Sequence, residues 1–245
     1  MPNWCSNTVE FIGSPSKIEK IRKAVEEDGL FQSLVPMPDA LKDSVSGSES
    51  AKPDWQKENS AKLKKAHGAD NWYDWNIKNW GTKWDATEPC IDDISIDWLN
   101  PKLSSIQVSF ETAWSPPTRF YDALLDQMTA KGKDFSIYAT YYEPGVDFMG
   151  VWSDGDDRTY SVEEQEDEFF TDHEDGENIN AHYGILEQRI TDRENELEEV
   201  QEWYEDGKKE LNPDAPHSTD EQINRMIKMV DQMIKEAKNG NKRKS

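Results

Sequence analysis

The sequence predicts an α+β protein, in which an antiparallel sheet carries two helices on one face and is followed by an acidic helical hairpin. Short stretches of alternating apolar and polar residues predict the strands of the sheet. Between them lie stretches whose apolar residues recur at helical spacing, which predict the two helices. A long heptad-like stretch near the C-terminus predicts the hairpin.

The first elements are predicted to be a strand, a helix and a second strand. Residues 4–12 alternate in polarity, as in a half-buried strand. Ser14-Pro15 then provides a helix N-cap followed by proline at the first helical position. This helix ends near Gly29, and the apolar run at residues 30–35 is interpreted as a strand.

An insertion at about residues 39–70 is expected to follow these elements. Residues 39–53 are rich in Ser, Lys and Asp and predict a mobile loop. Residues 54–67 are polar and are predicted to be helical. After the insertion, tryptophan and asparagine side chains recur at helical spacing from Trp72 to Trp80, which predicts another helix.

The second half of the sheet domain contains the other predicted strands and the second helix of the sheet face. Ser115, before two prolines, is interpreted as the N-cap of that helix rather than as a nucleophile, because no glycine-flanked elbow surrounds it. Asp154-Gly155 is a strong hairpin signal. These elements are strands at 94–98, 106–113 and 135–139, a helix at 117–130, and a hairpin with arms at 146–152 and 158–162.

The pattern changes after Val162, so we expect three parts in the chain. Residues 1–162 form the sheet domain, and residues 163–178 form a loosely ordered acidic linker. Residues 179–245 form a helical hairpin whose first helix runs to about Leu211. The apolar stripes of its helices could pack against each other, against the sheet domain or against another copy of the chain, because the heptad pattern does not identify the partner.

Charge is concentrated in one segment. The whole chain has a net charge of −22, and residues 142–211 hold 24 acidic and 5 basic residues, a net charge of −19. Such a surface repels nucleic acids and anionic membranes, so direct binding to either is not expected. It favours a partner with a basic surface, although a solvated helix that keeps the chain soluble is an equally simple interpretation.

Cysteine and histidine usage predicts neither a metal site nor a bound cofactor. Cys5 and Cys90 have no paired spacing, and the four histidines are scattered. The acidic groups around Asp154 and Asp172 lack the spacing of a calcium-binding loop. The N-terminus does not resemble a signal peptide, and no apolar run is long enough to span a bilayer, so a cytoplasmic protein is expected.

The stretch from Trp72 to Asp85 contains four of the ten tryptophans, interleaved with Asp, Asn, Lys and Thr. One interpretation is a pocket in which tryptophans stack on a planar or cationic ligand and polar side chains fix its orientation. The alternative is that these tryptophans fill the core against one face of the sheet. For Glu143 the alternative is a structural role in a turn. The candidate ligand-binding residues are Trp75, Asn79, Trp80, Lys83, Trp84, Asp85, Trp114 and Glu143.

Four motifs resemble a known family. They are Pro2-Asn3-Trp4-Cys5-Ser6-Asn7, the stretch from Trp72 to Asp85, Thr112-Ala113-Trp114-Ser115-Pro116-Pro117, and Glu143-Pro144-Gly145 with Phe148 and Gly150. Together they resemble the YubB ferredoxin-like family, small proteins of plasmids and bacteriophages with no assigned biochemical activity. The resemblance covers about residues 1–155 and implies a ferredoxin-like fold and a mobile-element origin. The chain departs from the family pattern after about residue 160.

The leading functional hypothesis is a non-enzymatic protein of a phage or plasmid, without catalytic residues, that binds and inhibits a host antiviral or restriction factor. Carboxylates on the helix at 187–210 would mimic nucleic-acid phosphates in a basic groove. One alternative is a small-ligand or nucleotide binder, or an enzyme, that uses the tryptophan pocket. Another is an oligomeric scaffold formed through the C-terminal helices. The candidate partner-binding residues are Glu194, Glu196, Glu198, Glu199 and Glu202.

Overall fold

The structure is a computed structural model, and the chain divides into two compact units. Unit 1 is Met1–Glu164 and unit 2 is Gln165–Ser245. Within 200–210 the structure describes the backbone alone. The described residues are 2–27, 29–96, 102–130 and 132–210, together with 224, 225, 228 and 232.

Unit 1 contains an open antiparallel sheet, which confirms the predicted α+β class. In the described residues the sheet has six strands in the spatial order β2-β3-β1-β4-β5-β6, and every neighbouring pair is antiparallel. The strands are β1 (Trp4–Gly13), β2 (Thr87–Ile96), β3 (Ser104–Ala113), β4 (Phe135–Glu143), β5 (Phe148–Ser153) and β6 (Asp156–Tyr160).

The two faces of the sheet differ because side chains alternate along each strand. On β3 the buried Val108 and Phe110 alternate with the half-buried Gln107 and Glu111. Val9 on β1 pairs with Val108, so neighbouring strands present their apolar residues to the same side. The opposite side is polar at these positions, and this asymmetry places the core on one face.

Two amphipathic helices contribute to the same core. The predicted first helix is confirmed as α1 (Pro15–Glu26), with Ser14 at its N-cap and proline in its first turn. The second is confirmed as α5 (Thr118–Thr129). Their buried residues belong to the same hydrophobic cluster as those of β1, β3 and β4: Ile18, Ile21, Ala24, Val25, Phe120, Tyr121, Leu124 and Met128.

The predicted strand at residues 30–35 is wrong, because Leu30–Leu34 forms a short helix, α2. A short apolar run fits a strand or a helical turn equally well, so periodicity does not separate them. The carboxylate of Asp85 accepts hydrogen bonds from the backbone N–H of Phe31 at 2.7 Å and of Gln32 at 2.9 Å. The first N–H groups of a helix have no acceptor within the helix, and the Asp85 carboxylate is the acceptor for two of them in α2.

The insertion is connected to its neighbours by a buried glutamine. Helix α3 (Asp54–His67) is confirmed, and it positions Gln56. The side chain of Gln56 accepts from the N–H of Val45 at 2.8 Å and donates to the carbonyls of Val45 and Asp70, each at 2.9 Å. The segment 39–53, predicted as a mobile loop, is therefore hydrogen-bonded to α3 and contains two short 3-10 helices.

A buried carboxylate lies beside this glutamine. Asp70 accepts hydrogen bonds from Lys52 at 3.0 Å, Ser60 at 2.5 Å and Asn71 at 3.1 Å. Burial raises the pKa of Asp70, but the hydrogen bonds from Ser60, Lys52 and Asn71 outweigh burial and hold the pKa well below its usual range. The ionised carboxylate is therefore part of the folded arrangement of the insertion.

Two strand predictions can be compared with the sheet directly. The hairpin at Asp154-Gly155 is confirmed: both residues have positive φ, 46° and 97°, as a two-residue hairpin turn requires. β2 begins at Thr87 rather than at residue 94. Residues 97–98 of that predicted strand lie outside the described residues.

Unit 2 begins with helices where a loosely ordered linker was predicted. They are α6 (Phe169–Asp172) and α7 (Glu174–Tyr183), followed by the long α8 (Ile185–Glu210). The predicted continuous helix from residue 179 is therefore wrong at its start. Gly184 has a left-handed φ of 61° and ends α7, because glycine adopts this conformation without steric cost.

Asp167 forms ion pairs with the first turns of α8. Its carboxylate accepts from Arg189 at 3.3 Å and from Arg193 at 2.5 and 3.0 Å. The second helix of the predicted hairpin lies outside the described residues, except for four isolated positions. The hairpin and any oligomer formed through it therefore stay predictions. In the described part of the chain, no helix combines the length and apolar character needed to cross a membrane.

Candidate functional site at one end of the sheet

The tryptophan-rich segment forms helix α4 (Trp72–Asn79), as its spacing predicted. Asn71 caps the helix, since its side-chain oxygen accepts from the N–H of Asp74 at 2.9 Å. Gly81 follows the helix with φ of 85°, a left-handed conformation that favours glycine. A Cβ atom at Gly81 would lie 3.3 Å from the backbone nitrogen of Arg119, so this turn packs tightly against α5.

Two tryptophans of this segment are core residues. Trp75 and Trp80 are buried and meet edge to face, with ring centroids 5.6 Å apart. The Trp80 ring also contacts Phe31, and its Nε1 donates to the carbonyl of Val35 at 2.9 Å. The Nε1–H of Trp80 therefore has an internal acceptor and its ring packs against other aromatic rings, as a buried indole requires.

Two polar members of the predicted pocket bind backbone groups. The Nδ2 of Asn79 donates to the carbonyl of Trp75 at 2.8 Å, one turn earlier in α4. Asp85, which caps α2, also accepts from the N–H of Ala86 at 2.8 Å. These contacts position the local chain, so both side chains serve the fold at this point.

Two other predicted members, Trp84 and Trp114, lie at the surface. Trp84 is 38% exposed and Trp114 is 50% exposed, and Trp4 at the start of β1 is 39% exposed. The rings of Trp4 and Trp84 are neighbours, with centroids 6.3 Å apart and planes inclined by 40°. The Nζ of Lys83 lies 4.4 Å from the centre of the Trp84 ring, a cation–π contact.

The motifs behind the family resemblance meet at this end of the sheet. The hydroxyl of Thr82 donates to the carbonyl of Ala113 at 2.9 Å, which links the tryptophan-rich segment to the third motif. The N–H of Trp114 donates to the carbonyl of Asn3 at 3.0 Å, which links the third motif to the first. Stretches far apart in the sequence therefore build one local structure.

Glu143 connects the fourth motif to the same place. It is buried, and its two carboxylate oxygens accept from the N–H groups of Gly145 at 3.0 Å and Val146 at 2.6 Å. A Cβ atom at Gly145 would lie 2.6 Å from the Nδ2 of Asn3. Glu143 therefore organises a turn that packs against the N-terminal motif.

Ser115 does not cap α5 as predicted. The N-cap position is Pro117, and the Ser115 hydroxyl donates to the carbonyl of Gly81 at 2.8 Å. A residue that precedes two prolines is restricted to extended conformations, and here the chain enters the helix two residues later. Through this hydrogen bond, Ser115 stabilises the turn at Gly81 that follows α4.

A cleft of about 520 Å³ opens at this end of the sheet, on the polar face. Its floor follows one row of side chains across four strands, because Glu111 pairs with Thr87 and Ser6, and Ser6 pairs with Tyr142. The hydroxyl of Ser6 donates to Glu111 Oε1 at 2.8 Å. We call this the sheet-end cleft; its lining residues are Trp4, Ser6, Thr87, Glu88, Glu111, Tyr142 and Pro144.

The residues that line the sheet-end cleft were not among the predicted site residues. The alternation on β3 contained a usable signal, since it places Glu111 on the face opposite Phe110. Glu88 has no such signal: β2 shifts its register between Thr87 and Cys90, and Glu88 has a φ of 51° within this irregularity. None of the predicted ligand-binding residues lines the cleft, although Trp84 contacts Trp4, which does.

Two groups near the cleft have a raised pKa. Burial raises the pKa of the Cys5 thiol, and the carboxylates of Glu111 and Glu143 raise it further. Burial also raises the pKa of Tyr141. Both groups therefore stay protonated at neutral pH, and a protonated thiol is a poor nucleophile.

The acidic candidate residues lie on α8 in unit 2. Glu196, Glu198 and Glu199 are exposed and Glu194 is half-buried, whereas the side chain of Glu202 lies outside the described part. The described residues contain no group of three or more His, Cys, Asp or Glu that could hold a metal ion.

No family model matches this sequence, and no curated protein matches it. Among solved structures, the chain is similar to the crystal structure of protein api92 from Yersinia pseudotuberculosis, of the family model DUF1281. The sequence identity is 11%, the alignment covers 66% of this chain and 98% of that chain, and the TM-score is 0.28.

Proposed function

We propose that this chain is a non-enzymatic protein of a mobile genetic element that binds and inhibits a host factor through a basic surface of that factor. The observation that carries the proposal is the set of carboxylates on α8. The mobile-element origin, and action in the bacterial cytoplasm, are supported by the motif resemblance. We call six of these carboxylates the acidic face of α8, which covers two sides of the helix: Glu187, Glu194 and Glu198 lie on one side, and Asp192, Glu196 and Glu199 on the other.

The spacing of these carboxylates supports phosphate mimicry. From Glu187 to Glu199 an α-helix advances about 18 Å, at about 1.5 Å per residue. Three carboxylates on each side of the helix then follow one another at about 5–8 Å on average, wider than the roughly 3.4 Å between successive phosphates along one DNA strand. A basic groove that accepts a nucleic-acid strand would therefore meet a line of negative charge with about half the density of a strand.

The basic residues in this stretch are already paired with an acid. Arg189 and Arg193 both bind the carboxylate of Asp167, and Arg193 also interacts electrostatically with Glu196. Among the members of the acidic face only Glu194 is half-buried, and the others are exposed. Exposed carboxylates keep their hydration until a partner approaches, which favours fast, salt-sensitive association.

The test is affinity purification of the tagged full chain from bacterial cells. We expect one stoichiometric partner that is retained at about 50 mM salt and largely lost at about 200 mM salt. Changing Glu194, Glu196, Glu198, Glu199 and Glu202 to Gln should weaken binding and flatten its salt dependence. Gln has a helix propensity close to that of Glu, so α8 should persist.

A matched control neutralises five exposed acids of unit 1: Glu27, Asp43, Glu58, Asp93 and Asp126. This variant carries the same change in net charge, so a general effect of charge would weaken binding equally in both. Affinity that survives the α8 changes, or that falls equally in the control, would overturn charge mimicry.

We also propose a ferredoxin-like topology for residues 1–162. The order β1-α1-β2-β3-α5-β4 along the chain and the spatial order β2-β3-β1-β4 support it, since this is the split β-α-β arrangement. On this interpretation α2, α3 and α4 are insertions, and β5 and β6 extend the sheet beyond β4.

A second candidate function, binding of a small ligand, is favoured by one observation. The sheet-end cleft has a volume within the range of about 300–1,000 Å³ that is typical of ligand sites, and exposed indoles border it. Saturable quenching of tryptophan fluorescence by nucleotides would support a nucleotide binder, and a flat response across nucleotides would count against it.

A further inference from the structure

We infer that the sheet-end cleft binds the guanidinium group of an arginine side chain on a basic partner. The inference rests on the proposed function, because both take the partner to be basic. Its site is nevertheless built only from residues of unit 1, whereas the acidic face belongs to unit 2. The two can therefore be tested separately.

Charge is the first argument for a cation in this cleft. Glu88 and Glu111 are the charged side chains that line it, and no Lys or Arg does so among the described residues. Within the same residues, neither carboxylate forms an ion pair with Lys or Arg. A cleft with two carboxylates and no base attracts a cation and repels a phosphate.

The aromatic side chains are the second argument. Trp4 lines the cleft and contacts Trp84, and Tyr142 lines it from β4. Cations bind over the faces of tryptophan and tyrosine rings, and the planar guanidinium also stacks on them. Lys83 places its ammonium over the neighbouring Trp84, so the indole that a ligand in the cleft meets is that of Trp4.

The arrangement of acceptors favours arginine over lysine. Ser6 donates to Oε1 of Glu111 at 2.8 Å, which fixes the orientation of that carboxylate and leaves Oε2 for a ligand. A guanidinium presents five N–H donors in a planar fork, so it can donate to Oε2 of Glu111 and keep other N–H groups for Glu88 while its face stacks on an indole. An ammonium group binds as a point charge and does not stack.

The test uses the full chain and two short peptides, acetyl-Gly-Arg-Gly-amide and its citrulline analogue, which has the same shape without the charge. The readout is the indole N–H resonances of Trp4 and Trp84, assigned from Trp4→Phe and Trp84→Phe. We expect the arginine peptide to shift both resonances saturably. The citrulline peptide should bind at least about tenfold more weakly, and a lysine peptide should fall between them.

The decisive variant is Glu88→Gln/Glu111→Gln. The amide that replaces the carboxylate of Glu111 still offers an oxygen to the hydroxyl of Ser6, so the strand pairing should be kept. We expect at least about tenfold weaker binding of the arginine peptide, against unchanged binding in the charge-matched control Asp43→Asn/Glu58→Gln. Both control residues are exposed and lie in the insertion.

Three results would overturn the inference: equal shifts from the citrulline peptide, equal binding by the decisive variant and its control, or stronger shifts from adenosine monophosphate than from the arginine peptide. The α8 neutralisation variant should bind the peptide as the unchanged chain does. A partner captured through α8 without peptide binding would defeat this inference alone. Peptide binding without a captured partner would defeat the proposed function alone.

Discussion

The ring of Tyr141 on β4 lies across the bare Cα of Gly150 on β5. The two residues are register partners, and a Cβ atom at Gly150 would lie 2.3 Å from both the Cζ and the hydroxyl oxygen of Tyr141. Because glycine leaves this space open, the Tyr141 hydroxyl reaches β6, where it donates to Asp157 at 2.7 Å and lies 2.7 Å from the hydroxyl of Thr159. One tyrosine thus connects three strands.

The variant Gly150→Ala should destabilise unit 1. The added methyl would collide with the Tyr141 ring and lie 2.5 Å from the carbonyl oxygen of Arg158, so the ring or β6 must move. We expect a loss of about 1–3 kcal/mol in the free energy of unfolding, measured with urea. Ser153→Ala on the same strand is the control, with an expected change within about 0.5 kcal/mol. Equal stability of the two variants would show that the Tyr141 ring does not depend on the absence of a side chain at Gly150.

Stability should fall at acidic pH through Asp70. Its pKa is lower in the folded chain than the value of about 3.9 in an unfolded chain, so ionised Asp70 stabilises the fold above about pH 4. That contribution is lost progressively as the pH falls below about 4. Urea unfolding at neutral and acidic pH measures this loss.

The variant Asp70→Asn tests the same contribution at neutral pH. It removes the carboxylate partner of Lys52 while the Glu49 contact of Lys52 at 3.2 Å stays, and we expect a loss of about 1–3 kcal/mol in the free energy of unfolding at pH 7. The loss should shrink as the pH falls below about 4, where Asp70 binds a proton in the unfolded chain but not in the folded chain. Asp43→Asn, at an exposed position, should change stability little; a pH-independent loss in Asp70→Asn would refute the assigned role of the charge.

Removing the carboxylate of Asp85 should loosen α2. Asp85→Ala deprives the N–H groups of Phe31 and Gln32 of their acceptor, and loss of a helix cap costs about 0.5–2 kcal/mol. Hydrogen exchange at these two amides should accelerate more than exchange in α1. Asp93→Ala, on the exposed strand β2, serves as the control; unchanged exchange at Phe31 would contradict the capping role.

The two thiols should differ in reactivity. Cys90 is exposed, whereas Cys5 is fully buried and its pKa is raised by burial and by Glu111 and Glu143. Iodoacetamide at mildly alkaline pH should label Cys90 in the native chain and both thiols in urea. The variant Cys90→Ser should abolish native labelling. Rapid labelling of that variant would place Cys5 in an accessible position.

Local patterns predicted much of unit 1. The alternation from Ile106 to Ala113 and the Ser14-Pro15 signal each identified an element from adjacent residues alone. Leu30–Leu34 was misassigned because its cap, Asp85, lies more than 50 residues away in sequence. No local pattern carries such information.

The candidate site was harder to predict for a related reason. Trp75 and Trp84 occur in one dense motif, but the first is buried and the second exposed, and only the packing of α4 against the core separates them. Glu88 enters the cleft through an irregularity in β2 that has no compositional signal. The alternation of each strand predicts which of its residues lie on the polar face. Which of these residues become neighbours on adjacent strands depends on the strand register, and the sequence does not give that register.

The convergence of distant motifs has a thermodynamic consequence for the sheet-end cleft. Its walls come from the start of β1, the start of β2 and the ends of β3 and β4, so the cleft exists only when unit 1 is folded. Any compound that binds there only in the folded state must raise the unfolding midpoint of unit 1, by an amount that grows with the logarithm of its concentration once that concentration exceeds Kd, even if its affinity is too weak for direct capture. Thermal unfolding is therefore a screen for ligands of the cleft that requires no knowledge of the partner.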